Sequence, residues 1–320
     1  MKLVTYDELP ESCDSDRALV QLAAFGGFLD RRRIDLWRRR TSVFADYFGI
    51  FAVDAGTVVG QTFVLRIPYT FPHGTETVSG IAGVATRLDH ARTGVARRIL
   101  EEVHRREREA GIGFSTLWTN RSWGAHRLYE KLGYRDVYAP PWAVRVPPAR
   151  SSSPPGRNVR PGRRSDLEAI EELHRRYTEG RWGFTQRPPN FARVAVAAGD
   201  LRPREEILVA HTDGRLSGYA VIDMNQYRTI CGELVATSEP VRARLATSIE
   251  ARARKKPVSF RDGIVGDMNT WLCRRGYSIA TAGWFGLMAM AYGRERSRAQ
   301  LEREFGTRDP RFVCHDGDHF

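Results

Sequence analysis

The stretch from His90 to Glu107, HARTGVARRILEEVHRRE, combines a glycine, small neighbours and several arginines at the start of a predicted helix. The stretch GIAGVAT, from Gly80 to Thr86, is short, apolar and contains β-branched residues, which predicts a strand. A strand that leads through a glycine turn into a helix gathers unpaired backbone N–H groups and the positive end of the helix dipole at one point. This order predicts an anion site, most often one for phosphate.

The glycine turn alone does not settle the chemistry. Gly94 could also be present only for its backbone freedom, since glycine turns before helices are common. The stretch has neither the G-x-x-x-x-G-K-[ST] motif nor the three glycines of a dinucleotide-binding turn, which argues against both of those phosphate sites. The surrounding secondary-structure elements must therefore distinguish a phosphate site from a plain turn.

Composition and length bound the class of protein. The 320 residues suffice for two domains, and 42% hydrophobic and 28% charged residues are typical of a soluble globular protein. The longest apolar run, WFGLMAMAY at Trp284 to Tyr292, is too short to span a membrane. The N-terminal residues lack the apolar core of a signal peptide, so we expect a cytoplasmic protein without a membrane partner. Four scattered cysteines without a C-x-x-C pair predict reduced thiols and no zinc site.

The net charge of +12 is carried mainly by arginine and favours a polyanionic partner. That partner could be nucleic acid or a cofactor with several phosphates. The densest cluster is LDRRRIDLWRRRTS, at Leu29 to Ser42, with six arginines around Trp37. We interpret it as the solvated face of a helix that borders a cleft, and a nucleic-acid patch is the alternative.

The chain divides near its middle. Residues 147–158 are rich in proline, serine and arginine, which predicts an exposed linker between a first domain, 1–146, and a second, 159–320. Each half contains a strand–turn–strand pattern, an apolar strand, an arginine-rich amphipathic helix and a short helix that ends in Gly-Tyr. The repeated order predicts a tandem duplication of an α/β unit.

The two copies differ where chemistry is expected. The second copy has PVRARLA, from Pro240 to Ala246, in place of ARTGVA, and Leu272 in place of Tyr129. It therefore lacks a glycine that would let a phosphate approach the backbone. We expect the second domain, with its C-terminal tail, to be a degenerate scaffold.

The order of elements in the first half resembles the GCN5-related N-acetyltransferase superfamily, GNAT. The phosphate loop of that family is written Q/R-x-x-G-x-G/A, which Gly94 and Ala96 match, although Ala91 stands at the first position with Arg92 beside it. The family's closing helix is written A-x-x-L-Y-x-x-x-G-F/Y. It is matched by Ala125, Leu128, Tyr129, Gly133 and Tyr134. The two-copy plan also resembles, more loosely, the enhanced intracellular survival acetyltransferases without their additional C-terminal domain.

The resemblance implies an α/β (α+β) fold of two tandem GNAT-like acyl-CoA N-acyltransferase domains. Each would have a mixed, mostly antiparallel sheet with helices on both faces. The resemblance also implies acetyl-CoA as co-substrate. It would be bound through its pyrophosphate and its pantetheine arm, with further residues near the other side of the cofactor. The implied contacts are Arg92, Thr93, Gly94, Val95, Ala96 and Arg97 for the pyrophosphate, the backbone of Val84, Ala85 and Thr86 for the pantetheine, and Asn120 and Ser122 for the other side.

The implied reaction is direct attack of an amine on the thioester, which needs a neutral amine, a stabilised oxyanion and a proton for the departing thiolate. Tyr129 stands where the family places its proton donor, and a core aromatic is the alternative. Glu76 or the nearby His73 could be the base, or could be exposed and solvated. The terminal carboxylate of Phe320 is another candidate, as in the enhanced intracellular survival proteins, and a frayed tail is the alternative.

The C-terminal tail also contains residue types that bind metals. These are Cys314, His315, Asp316, Asp318 and His319. Adjacent residues seldom point at one ion and no second cluster completes a shell, so we expect no metal.

Three functions follow from these patterns. The leading hypothesis is an acetyl-CoA-dependent N-acetyltransferase whose partner is a small-molecule or peptide amine. The second is an acyl-CoA-binding sensor without chemistry, and the third is a basic nucleic-acid-binding protein on a GNAT-like scaffold. Aromatic residues could line the acceptor site or belong to the core, namely Trp37, Tyr69, Phe71 and Trp123.

Overall fold

The computed structural model describes residues 1–26, 31–40, 47–146, 158–261, 263–281 and 283–314. In chain order the strands are β1 (Lys2–Thr5), β2 (Phe48–Asp54), β3 (Thr57–Phe71), β4 (Gly74–Thr86), β5 (Phe114–Asn120), β6 (Arg135–Tyr138), β7 (Pro141–Arg145), β8 (Val159–Pro161), β9 (Ile207–Thr212), β10 (Arg215–Met224), β11 (Thr229–Ala236), β12 (Val258–Arg261), β13 (Ser278–Thr281) and β14 (Phe285–Ala291). The helices are α1 (Asp14–Phe25), α2 (Arg31–Arg40), α3 (Val95–Glu109), α4 (Gly124–Lys131), α5 (Leu167–Thr178), α6 (Phe191–Ala198), α7 (Pro203–Glu206), α8 (Glu239–Ala253), α9 (Gly263–Arg274) and α10 (Arg298–Phe305).

The elements predicted around the glycine turn are present. The strand predicted at Gly80 to Thr86 is the second half of β4, and the predicted helix is α3. This helix begins at Val95 because Gly94 takes a left-handed backbone conformation that ends the preceding turn. The apolar residues of α3 recur at helical spacing and are buried, while its arginines lie mostly on the exposed side.

The chain forms two compact units. The first contains Met1–Tyr138 and Trp284–Phe305, and the second contains Ala139–Gly283 together with the segment that begins at Gly306. Each holds a seven-stranded sheet, in the order β1-β2-β3-β4-β5-β14-β6 in the first unit and β13-β7-β12-β11-β10-β9-β8 in the second. In these described sheets β4 with β5 and β11 with β12 are parallel, and the other neighbours are antiparallel. This confirms the prediction of two mixed, mostly antiparallel sheets.

The units differ from the predicted domains 1–146 and 159–320 because each sheet contains one strand from the other half of the chain. The apolar run at Trp284 to Tyr292 contains β14, which lies between β5 and β6 in the first sheet. In the second sheet β7 lies between β12 and β13. The predicted linker falls on residues 147–157, outside the described residues, and on Asn158. Among the helices that are described, none has the length and apolar character needed to cross a membrane.

Helices cover both faces of the first sheet. A Cβ added to Gly60 would lie 2.5 Å from the Val95 side chain of α3, whereas the Gln61 amide donates a hydrogen bond to Gln21 of α1. Since successive strand residues point to opposite faces, α3 and α1 lie on opposite sides of the sheet. Glycine is required at position 60 because a side chain there would collide with α3.

The second sheet repeats this arrangement. A Cβ added to Gly218 would lie 2.8 Å from the Val241 side chain of α8, and the next residue, Tyr219, hydrogen-bonds to His174 of α5 at 3.0 Å. Helices therefore cover both faces of this unit as well. The predicted arginine-rich helix is α2 over its described residues, and its Trp37 is buried.

The placement of β14 can be tested with two methionines. Met288 of β14 is 0% exposed in the core of the first unit, whereas Met224 at the end of β10 is 42% exposed. We expect Met288→Ala to lower the free energy of unfolding by about 2–5 kcal/mol, because it leaves a cavity. Met224→Ala should change it by less than about 0.5 kcal/mol. Urea unfolding followed by circular dichroism measures both, and equal effects would contradict this placement of β14.

Candidate active site

The strands β4 and β5 part in the middle of the first sheet. Their parallel pairing joins residues 78–80 to residues 114–116. Beyond these pairs β4 continues along β3 and β5 continues along β14. The facing edges thus enclose an opening that begins after Gly80 and Thr116. Backbone N–H and C=O groups on such an edge can pair with an extended ligand, as another strand would.

A bulge reshapes β4 beside the opening. Its register against β3 shifts between Gln61 and Phe63, and Gly83 has a φ of 59°. A Cβ on Gly83 would lie 2.6 Å from the Phe63 ring. Both the sign of φ and the ring require glycine here. A bulge re-aims the backbone of its strand, so the amides after Gly83 leave the regular ladder direction.

The turn before α3 presents several backbone donors. The first bond of the helix is from Arg98 N–H to the Gly94 oxygen at 3.0 Å, so the amides of residues 95–97 precede it. Gly94 has a φ of 89° and Arg92 a φ of 64°, which for arginine costs on the order of 1 kcal/mol. The Thr93 hydroxyl donates to the His90 carbonyl at 2.7 Å and fixes the turn. Turns with this backbone form concave sites for anions.

A cleft of about 600 Å³ lies where the end of β4, the turn, α3 and α4 meet. Its volume is within the range of small-molecule sites. It is lined by Val84, Ala85, Thr86, His90, Arg92, Gly94, Val95, Ala96, Arg97, Gly124, Ala125, Arg127, Leu128 and Lys131. The structure therefore brings together the residues that were predicted for the pyrophosphate and the pantetheine, except Thr93, whose side chain holds the turn.

The cleft carries positive charge. The side chains of Arg92, Arg127 and Lys131 line it and form no ion pair with any residue that the structure describes. Arg97 pairs with Glu101 of the next helical turn at 2.8 Å. Three cations without counter-charges, together with the positive end of the α3 dipole, favour an anionic ligand here.

Tyr129 lies on α4 beside the cleft-lining Leu128, and it does not itself line the cleft. Its side chain is 6% exposed and meets the Tyr134 ring edge-on at 5.9 Å between centroids. It belongs to the core cluster that contains Val95 and borders the cleft-lining Leu128. Its hydroxyl forms no hydrogen bond with any described residue, and the protein does not fully enclose it. Burial raises the pKa of Tyr129 to about 12, so the phenol stays protonated at neutral pH and can donate a hydrogen bond.

Asn120 and Ser122 do not line the cleft. The Asn120 side-chain oxygen accepts hydrogen bonds from the Ser122 backbone at 2.9 Å and from the Ser122 hydroxyl at 2.7 Å. These bonds form a local turn between β5 and α4. Asn120 is the last residue of β5 and Ser122 lies in the turn that follows, and the side chains of both residues serve this turn.

Two of the predicted bases, Glu76 and His73, are not at the cleft. Glu76 is exposed at the start of β4 and accepts a hydrogen bond from His73 at 2.8 Å. Five strand residues, or about 17 Å, separate Glu76 from Ile81, the first residue beyond the β4–β5 pairing. The prediction relied on nearness in sequence, and the length of β4 removes both residues from the opening. Phe320 and residues 315–319 of the tail lie outside the described residues.

The corresponding position of the second unit is built differently. A cleft of about 390 Å³ lies between α8 and α9. The first helical residues of α8 are Glu239, a carboxylate, and Pro240, which has no N–H. Across the cleft Asp267 pairs with Arg242 at 3.6 Å and accepts a hydrogen bond from Tyr177 at 2.7 Å. The start of α8 has one backbone N–H fewer than the start of α3, and Glu239 places a negative charge there.

Aromatic candidates for the acceptor site separate into two groups. Trp37, Tyr69 and Phe71 are buried, whereas Trp123 is 52% exposed. Tyr69 and Phe71 pack against Phe305 of α10, at 5.5 Å and 4.9 Å between ring centroids. These two rings belong to the core.

Comparisons with known proteins agree with this geometry. Residues 16–137 match the model of the acetyltransferase (GNAT) domain family. No curated protein matches the chain. Among solved structures, a GCN5-related N-acetyltransferase from Kribbella flavida is 21% identical with a TM-score of 0.63, over 91% of this chain and 71% of that one. Eis1 from Mycobacterium abscessus is 16% identical with a TM-score of 0.54, over 89% of this chain and 73% of that one.

A tandem GNAT protein from the clavulanic acid biosynthesis pathway is 13% identical with a TM-score of 0.57, over 92% of this chain and all (100%) of that one. At these identities the likeness concerns the fold, and the match over residues 16–137 concerns the first unit. The chain therefore has the tandem GNAT fold, and its residues 16–137 are similar to the acetyltransferase (GNAT) domain family.

Proposed function

We propose that the first unit is an acetyl-CoA-dependent N-acetyltransferase acting on a primary amine of a small molecule or a peptide. The observation that carries this proposal is one cleft that joins the parted edge of β4 to the free amides at the start of α3. The cleft fits acetyl-CoA in its volume and in its unpaired cations. The edge of β4 suits the amide groups of a pantetheine arm.

In this proposal the chain holds acetyl-CoA at three places. The amides of residues 95–97 and the Arg92 side chain would hold the pyrophosphate, as helix N-termini hold phosphate groups. The backbone of residues 84–86 would pair with the pantetheine. A backbone N–H at the Gly83 bulge would donate to the thioester oxygen, where negative charge develops during transfer. Acetyl-CoA supplies the acetyl group, already activated as a thioester.

Tyr129 would supply a proton to the departing sulfur. The amine nitrogen forms a bond to the acetyl carbon as the carbon–sulfur bond breaks, the nitrogen loses one proton and the sulfur gains one. The phenol has a pKa of about 12. A thiol has a pKa of about 8.5, so complete transfer from the phenol alone is uphill. Tyr129 would therefore act as a donor whose proton is replaced by the one that the amine releases. The Phe320 carboxylate stays a predicted base for that step.

Two glycines at the ends of α3 allow a controlled test of the turn. Gly94 and Gly111 have φ values of 89° and 75°, and neither has a heavy atom within 4 Å of an added Cβ. Glutamate should therefore strain the backbone similarly at both positions, but only Gly94→Glu places a carboxylate at the cleft. We expect acetyl-CoA to raise the melting temperature of the wild type and of Gly111→Glu, and not that of Gly94→Glu.

At one hundred times the dissociation constant, acetyl-CoA should stabilise a binding protein by about 2.7 kcal/mol. A shift that persists in Gly94→Glu would remove the turn from the binding site. No shift in any variant would count against acetyl-CoA and in favour of the nucleic-acid hypothesis.

The role of Tyr129 is tested by removing its hydroxyl. We expect Tyr129→Phe to lower kcat by about 10²–10⁴-fold, because the sulfur loses its proton donor. Its affinity for acetyl-CoA should not change. Because the pKa of Tyr129 is raised to about 12, kcat of the wild type should show no loss with an apparent pKa near 10. Tyr227→Phe, at a residue that is 75% exposed, is the matched control.

An unchanged kcat in Tyr129→Phe would refute the assigned role. Acetyl-CoA binding without transfer to any of a broad panel of amines would favour the acyl-CoA sensor.

The residues of the second cleft predict how many acetyl-CoA molecules one chain binds. Because α8 begins with a carboxylate and a proline, the second unit should not hold a pyrophosphate as the first does. Isothermal titration calorimetry with acetyl-CoA should give about one site per chain. Two sites of similar affinity would contradict the assignment of the second unit as a degenerate scaffold.

A further inference from the structure

Four aromatic side chains form a cluster in the first unit, which we call the aromatic shelf. Its members are Trp118, Tyr138, Trp284 and Phe285. The rings of Trp118 and Phe285 stack at 5.4 Å with an interplanar angle of 20°. Tyr138 meets Trp118 edge-on at 6.4 Å, and Trp284 tilts against Phe285 at 5.6 Å. With these contacts in place Trp284 is still 50% exposed, and the other three rings are partly exposed.

The shelf follows the edge of the opening between β4 and β5. Trp118 is the second residue beyond Thr116, where the pairing of β5 with β4 ends. On β14, Leu287 is the partner of Trp118 and Phe285 is the partner of Asn120. Trp118 therefore lies on the part of β5 that has separated from β4, and the other three rings extend from it across β14 to β6.

The shelf and the cleft lie on opposite faces of the sheet. Leu117 belongs to the core cluster that contains Ile99 of α3 and Tyr129 of α4. Trp118 is the next strand residue, so its side chain points to the other face. The opening between β4 and β5 connects the two faces at this position.

We propose that the aromatic shelf binds the body of the acceptor and selects primary amines that carry an aromatic ring. This inference rests on the proposed function, because acetyl-CoA in the cleft would leave the opposite face as the approach to the thioester. A planar ring stacks on tryptophan and phenylalanine faces, and an ammonium group is attracted to the same faces. Amines without a ring gain only the second of these contacts.

The test measures binding of two amines to the protein saturated with CoA, which has no acetyl group to transfer. Calorimetry is carried out with 2-phenylethylamine and with n-butylamine. We expect the dissociation constant to be about ten-fold lower for 2-phenylethylamine, from stacking on the shelf. Trp284→Ala and Phe285→Leu should each reduce this preference to about three-fold or less, since each removes one ring. Phe285→Leu keeps an apolar side chain in the sheet in case Trp284→Ala does not fold.

Tyr227→Ala removes an exposed aromatic residue of the second unit and should leave the preference unchanged. Equal affinities for the two amines, or a preference that survives both shelf substitutions, would contradict binding of the acceptor ring by the aromatic shelf. Release of thiol from acetyl-CoA, measured with both amines, tests the proposed function separately. Thiol release at equal kcat/KM with both amines overturns the shelf and leaves acetyl transfer standing. Ring-selective binding without thiol release supports the shelf as a binding surface and removes acetyl transfer.

Discussion

The point at which β4 and β5 stop pairing determines the rest of the site. Just before that point Ser79 and Ser115 face each other, and the Ser115 hydroxyl donates to the Ser79 carbonyl at 3.1 Å. The Ser79 hydroxyl bonds to Glu107 of α3, which is fully buried and pairs with Arg66 at 2.9 Å. A buried carboxylate is tolerated only with its partners in place, so this network fixes the last pairs of the two strands. The opening begins beyond the next pair, Gly80 with Thr116.

The same network anchors the helix whose other end carries the free amides of residues 95–97. Glu107 lies near the end of α3, and Gly94 lies just before its start. A helix of 15 residues is about 22 Å long, and it is stiff over that length. The free amides at its start therefore have a fixed position relative to the strands that part near its end. A bound acetyl-CoA would need both features at a constant separation, which a loop in place of α3 would not maintain.

Features that depend on local backbone preferences could be predicted from the sequence. Gly94 and the apolar pattern of α3 gave the turn and the helix, because a positive φ and a helical stripe are local properties. Glu76 was not placed by such a property, since the length of β4 decides how far it lies from the opening. Asn120 was placed correctly at the end of β5, but the short bond to Ser122 that occupies its side chain depends on the course of the turn. The family resemblance indicated which residues to consider for the site, and the structure shows which residues their side chains contact.

The exchange of β14 and β7 could not be predicted, because an apolar run indicates a strand without indicating which sheet it joins. The exchange also makes the first sheet depend on the second half of the chain. The first sheet needs β14, whose Leu287 and Met288 are buried in it, and β14 follows the elements of the second unit in the chain. The second sheet in turn contains β7. A chain without its second half would leave an unpaired edge on β5, beside the opening, and would lose Trp284 and Phe285. Glutamate and proline at the start of α8 disfavour an anion there, and neither residue belongs to β7 or β14.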